Sequence, residues 1–244
     1  MRRTHFLAVF TPLLALLVFA QAGCSEKITR QTKLPDAEIF ARGSRFYSQK
    51  SYRAAAEHFQ VMLEKYPASP IASRAQLCLA DARMERGDDI EAEAAFDDFL
   101  RLYPSDDNVP YALYRKGELL GREAADPGRD QVKTVEAIRA YGQFLQKEPA
   151  GPRAAVASGQ IRTLRGRLAE HEVLVVRHYL KRKLPESAAL RAMRAAADYP
   201  DVPATPVLLS LQADALDRQG KSSDAATIRA DLAKRFPAFP GGKK

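Results

Sequence analysis

The residues able to carry chemistry in this chain are few: two cysteines, four histidines and some paired acids. Cys24 directly follows Ala22-Gly23, behind Arg2-Arg3 and an apolar run from Phe6 to Ala20 that Pro12 interrupts. That order matches a secretory leader, and small residues before a cysteine mark a thiol that becomes the acylated first residue after cleavage. Gln21 stands where the usual box has leucine, so an ordinary signal peptide or an uncleaved anchor is the alternative. The apolar run is short of the about 20 residues that a membrane span needs. Cys78, between Leu77 and Leu79, reads as a small apolar core residue. It has no second thiol with which to form an internal disulfide once Cys24 carries lipid.

His5 leaves with the leader, and His58, His171 and His178 form no HExxH pattern. His171-Glu172 and His178 could share a helix face, but no third metal ligand accompanies them. The chain has no GxSxG, P-loop or GxGxxG element. Asp88-Asp89 follows the turn residue Gly87 and is expected to cap the next helix, while Asp97-Asp98 reads as a solvated face. The expectation is a chain with no catalytic centre, no cofactor and no metal, whose work is binding.

The elements that would present such surfaces are written in a repeat. Ala55/Pro67, Ala92/Pro104, Ala137/Pro149, Ala188/Pro200 and Ala225/Pro237 are each twelve residues apart. A small residue lets two helices approach closely, and a proline ends one hairpin before the next begins. Residues 36–69 fit a tetratricopeptide pattern of about 34 residues, with Gly43, Phe46, Tyr52, Ala55, Phe59 and Pro67 in place. The predicted fold is all-α, a superhelical solenoid of five tetratricopeptide-like hairpins at about 36–69, 73–106, 110–149, 153–200 and 206–239. Residues 1–23 are the leader, 24–35 a linker, and 241–244 a disordered tail.

The stop prolines are spaced 37, 45, 51 and 37 residues apart. The first surplus lies in a loop containing Asp126-Pro127-Gly128. The second lengthens one helix, because 153–183 holds no proline and only two glycines. Ile161, Leu164, Leu168, Val175 and Tyr179 form a single apolar stripe along it. Such a helix outgrows its own hairpin and must pack across neighbouring repeats or meet a partner. Arg162, Arg165, Arg167, Arg177 and Lys181-Arg182-Lys183 cluster on it, either as a docking face for an acidic protein or lipid headgroups, or as a solvated face. The formal charge of +8 falls to +6 once Arg2 and Arg3 are removed. With a leader and no nucleic-acid-binding fold, nucleic acid is not expected as a partner.

Arg167-Leu168-Ala169-Glu170-His171-Glu172, then Val176 and His178-Tyr179, together with Phe99-Leu100-Arg101-Leu102-Tyr103-Pro104, Tyr111, Tyr114 and Gly117, resemble the BamD (ComL) family of outer-membrane β-barrel assembly lipoproteins. The resemblance covers about residues 24–240, departing in a shorter third-repeat loop and in the imperfect lipid box. It implies a lipid-anchored protein on the periplasmic face of the outer membrane, binding the periplasmic domains of BamA, unfolded outer-membrane proteins and the complex's other lipoproteins. A periplasmic repeat scaffold for cell-wall or pilus machinery is the alternative.

Superimposing the repeats puts Phe40, Tyr47, Arg74, Asp81, Tyr111, Arg115 and Glu118 on the inward-facing side of the first helices. Aromatic rings there offer area to an extended peptide, and arginines can meet a carboxylate or carbonyls. In the alternative reading Phe40 and Tyr111 pack between repeats. The resemblance implies that this groove receives the C-terminal signal of outer-membrane proteins. It also implies that Arg191, placed by counting back from Asp198-Tyr199-Pro200, docks onto BamA. Otherwise Arg191 is a surface arginine on a solvated helix.

Overall fold

The computed structural model describes residues 28–31 and 33–240. Within them the chain forms ten α-helices and no strand: α1 (Asp36–Ser48), α2 (Tyr52–Lys65), α3 (Ala72–Arg86), α4 (Asp89–Leu102), α5 (Val109–Glu123), α6 (Val132–Lys147), α7 (Pro152–Lys181), α8 (Pro185–Asp198), α9 (Thr205–Arg218) and α10 (Ser222–Arg235). The leader, Cys24 and residues 241–244 lie outside the described residues.

The stop prolines act through local sterics. α2, α4, α6, α8 and α10 each end two residues before Pro67, Pro104, Pro149, Pro200 and Pro237. The intervening residue cannot stay helical, because the proline ring would strike its backbone N–H and Cβ. Tyr66 accordingly sits at φ −128° and ψ 55°, and Tyr103 at −128° and 56°. Glu148, Tyr199 and Phe236 adopt the same extended turn.

The paired alanines Ala55, Ala92, Ala137, Ala188 and Ala225 are all 0 % exposed. Opposite them the helices come close enough to demand glycine. A Cβ on Gly43 would stand 2.8 Å from the Phe59 ring, and one on Gly117 would stand 2.7 Å from Tyr141. Phe59, Phe96, Phe99 and Phe144 are the largest side chains sealed inside.

Which helices face inward follows from their contacts. α1 touches α3, α3 touches α5, α5 touches α7 and α7 touches α9, whereas among the described residues the backbones of successive second helices stay farther apart, α4 and α6 being bridged by the Lys133–Glu93 ion pair. The first helices therefore crowd the inside of the curve and the second helices splay on its outside. α7 has 30 residues and at 1.5 Å per residue is about 45 Å long. Ala157 and Leu164 lie in the core shared with α3–α6, while Ala169, Val173, Val176 and Leu180 lie in the core shared with α8–α10. One helix thus ties two cores together. Among the described residues no helix is long and apolar enough to cross a membrane.

One local expectation fails. Asp88 occupies the position before α4, but its carboxylate makes no capping hydrogen bond. It pairs with Arg86 across the turn, an interaction that competes directly for the same oxygen atoms.

Candidate functional site

The inward-facing residues of α3 and α5 converge on one guanidinium. Arg115 donates from Nε to Asp81 (2.8 Å), from Nη2 to Glu85 (2.6 Å) and from Nη1 to Glu118 (3.1 Å). Tyr111 Oη donates to the other Asp81 oxygen at 2.8 Å. The Asp81 and Arg115 side chains are only 11 % and 15 % exposed, so the pair stitches α3 to α5 through a partly dry interface. Burial raises the Asp81 carboxyl, against the pull of Arg115 and the Tyr111 hydroxyl. Arg115 is itself desolvated, but Asp81 and Glu85 hold it above its ordinary value. Ion pairs so enclosed are costly to break, because the surviving charge loses its partner.

Tyr47 of α1 stands beside this cluster. Burial, then Asp81 and Glu85, push its hydroxyl up to about 12, so it stays a neutral hydrogen-bond donor. Its ring meets Tyr52 edge-on at 5.3 Å. Phe40 and Arg74 form a separate pair, with the Arg74 guanidinium 5.0 Å from the Phe40 ring centroid. Phe40 also packs on Phe59 at 5.5 Å, and Tyr111 carries Arg153 over its ring at 5.4 Å. The seven inward-facing residues therefore sort into one network (Asp81, Tyr111, Arg115, Glu118), its neighbour Tyr47, and the Phe40–Arg74 stack. Phe40 and Tyr111 also do the packing that the alternative reading gave them. Glu85 completes the network and was not singled out from sequence, although it lies one turn beyond Asp81 on the same helix face.

Cys78 lies near Asp81, and burial and that carboxylate push its thiol up to about 11, away from the reactive thiolate. His58 gives its Nδ1 to Ala54 O at 2.7 Å. His171 Nδ1 lies 2.7 Å from Pro127 O and pins the loop there.

Arg191 lies on α8. Its Nε and Nη2 form a fork onto both oxygens of Glu172 on α7, Nη2 at 2.8 Å. Hydrogen bonding to Glu172 holds the guanidinium above its ordinary value. The Nη1 end has no partner among the described residues, and Leu190 and Met193 beside it are exposed. Glu172 lies 19 residues away in sequence, beyond the reach of any local pattern. The basic cluster on α7 divides as well. Arg165 binds Asp201 and the Asp198 carbonyl, and Arg167 binds the Ala124 carbonyl. Arg162, Arg177 and Lys181-Arg182-Lys183 remain at the surface.

The family model for YfiO, described as outer membrane lipoprotein, matches residues 32–232. The chain belongs to this family. The match reaches into all five hairpins and includes both clusters built around Arg115 and Arg191. The outer membrane protein assembly factor BamD of Neisseria meningitidis serogroup A is 28 % identical over 238 residues, covering 93 % of this chain and 89 % of the relative. The protein of the same description from Pasteurella multocida is 26 % identical over 248 residues, covering 94 % and 95 %. Among solved structures, a tetratricopeptide repeat protein from Parabacteroides merdae covers 82 % of this chain and 79 % of its own, at 14 % identity and a TM-score of 0.42. The family resembled by Arg167–Glu172 and the Phe99–Pro104 stretch is thus the one found.

Proposed function

We propose that this protein is a non-enzymatic subunit of the outer-membrane β-barrel assembly machinery, working by binding alone. It is anchored by lipid on Cys24 at the periplasmic face. The groove over α1, α3 and α5 receives unfolded outer-membrane proteins, and Arg191 on α8 docks onto the periplasmic domains of BamA. The observation that carries the reading is the position of Tyr47, Asp81, Tyr111, Arg115 and Glu118 on successive first helices, along the inside of the curve in a chain of this family. The Tyr47 hydroxyl, a neutral donor, and the carboxylates gathered round Arg115, as acceptors, suit the backbone of an extended peptide.

Two experiments test it. Tyr47→Ala and Arg115→Ala should each weaken binding of C-terminal outer-membrane-protein peptides, and unchanged affinity in both removes the groove assignment. Arg191→Glu should reduce co-purification with BamA from detergent-solubilised envelope, because a planar fork suited to a carboxylate becomes a repelling one. A full-strength complex rejects that contact. Absence of BamA from the wild-type pull-down would instead favour a cell-wall or pilus scaffold.

A further inference from the structure

The inner face continues beyond the Arg115 network. Between α7, the 124–131 connection and the start of α9 lies a cleft of about 420 Å³. Its walls are fixed in advance. Arg167 Nη1 donates to Ala124 O (2.8 Å), His171 Nδ1 donates to Pro127 O (2.7 Å), and Gln131 Nε2 bonds the carbonyls of Asp126 and Arg129. Across the cleft, Thr205 Oγ1 donates to Tyr199 O and Val202 O, locking the turn that carries Pro203 and Ala204. The interior is apolar, formed by Val173, Leu174 and Val207. Leu174 is 44 % exposed although it stands on a built wall, so the chain leaves an apolar surface there uncovered.

The rim is charged at two points. Glu170 and Arg177 are seven residues apart on α7, about 10.5 Å along the axis. Neither has an ion-pair or hydrogen-bond partner among the described residues. Lys181, Arg182 and Lys183 follow Arg177 at the surface, also without carboxylate partners among those residues. The Arg177 end is therefore electropositive. A flat bilayer cannot enter a recess between two walls, whereas an extended segment rising about 3.3 Å per residue crosses from Glu170 to Arg177 in three residues.

We propose that this cleft is a second peptide site, taking an extended segment with one large apolar side chain followed by acidic residues. The apolar side chain covers Leu174 and Val207, the acids meet Arg177, and Glu170 accepts backbone N–H groups at the other end. This site rests neither on the Arg191 contact nor on the groove over α1, α3 and α5.

The test is fluorescence anisotropy on the full chain with two labelled peptides, Gly-Ser-Gly-Phe-Asp-Asp and Gly-Ser-Gly-Phe-Lys-Lys. The acidic peptide should bind at least about fivefold more tightly than the basic one, as expected for exposed charge pairs of about 1 kcal/mol. Arg177→Glu should reverse that preference, an outcome that a merely structural arginine would not give. Leu174→Asp should weaken the acidic peptide about tenfold, in keeping with loss of one buried leucine contact. Circular dichroism checks that each variant keeps its helices, and Tyr47→Ala should leave binding unchanged. Failure of both peptides to bind, equal affinity for the two, or indifference to Arg177→Glu overturns the proposal. Loss of binding in Tyr47→Ala alone moves the peptide to the N-terminal groove, which overturns this site and leaves the proposed function intact. A dimer in sedimentation that Leu174→Asp dissolves, without peptide binding, assigns the cleft to a second copy and also overturns it.

Discussion

Two glycines in one hairpin should respond to the same substitution with opposite signs. Gly117 lies in α5 and Gly142 in α6, both in helix interiors. A Cβ on Gly117 would meet three ring atoms of Tyr141, at 2.7, 2.8 and 2.9 Å. That ring is 3 % exposed and braced edge-on by Tyr114 at 5.9 Å, so it cannot swing aside. Overpacking of this kind costs about 1–3 kcal/mol. Alanine recovers about 1 kcal/mol of helix propensity over glycine. With three ring atoms in the way the cost outweighs the gain, and Gly117→Ala should destabilise the protein by up to about 2 kcal/mol, or up to about 8 °C in Tm for a chain of this size. Gly142 has nothing within 4 Å of the added Cβ. Gly142→Ala should keep only the propensity gain, raising Tm by about 2–4 °C. Thermal and urea melts followed by circular dichroism read both. If Gly117→Ala stabilises as much as Gly142→Ala, the close approach of α5 and α6 is not as described.

Other outcomes follow from the same contacts. Asp81→Ala leaves Arg115 to Glu85 and Glu118 but strands the Tyr111 hydroxyl, so the urea midpoint should fall by the equivalent of about 2 kcal/mol, and an unchanged midpoint would show that the network does not bind α3 to α5. Burial raises the Glu123 carboxyl; Lys133 opposes the rise, and Glu93, Asp89 and Glu136 add to it. The folded state thus binds the proton more tightly than the unfolded one, and stability falls as pH climbs from the unfolded value of about 4.3 through the raised folded value. Glu123→Gln should flatten that slope in melts taken across the window, and a slope identical to the parent's would contradict the assignment. In a Cys24→Ser background, Cys78 should react with a thiol reagent at pH 8 far more slowly than an unfolded control, since its thiol titrates at about 11.

What could be read from sequence was whatever local sterics decide. A proline forces the residue before it out of the helix wherever it stands, so Pro67 through Pro237 placed the ends of five helices before any tertiary contact was known. Absence of proline over 153–183 likewise foretold α7 as one long element. The inward-facing positions on α1, α3 and α5 were legible from register, but their chemistry was not. Asp81 and Arg115 are 34 residues apart, and Asp81, Glu85 and Glu118 together engage every nitrogen of Arg115. Glu172 is 19 residues from Arg191 and was read as a neighbour of His171 and as the end of the Arg167–Glu172 stretch, not as a partner of Arg191. The cleft against Leu174 depends on where the 124–131 connection lands, which side chains from α7 decide. Asp88 shows the limit even of local rules, because Arg86 two residues away took the carboxylate that a cap would have used.

The inside of the curve is the proposed working surface. A photocrosslinking residue placed at Tyr47, on that inside, and at Ile90, 81 % exposed at the start of the outer helix α4, tests it in living envelope. Adducts with unfolded outer-membrane proteins are expected from position 47 and none above background from position 90. Adducts of equal yield from the two positions, or from position 90 alone, would contradict it.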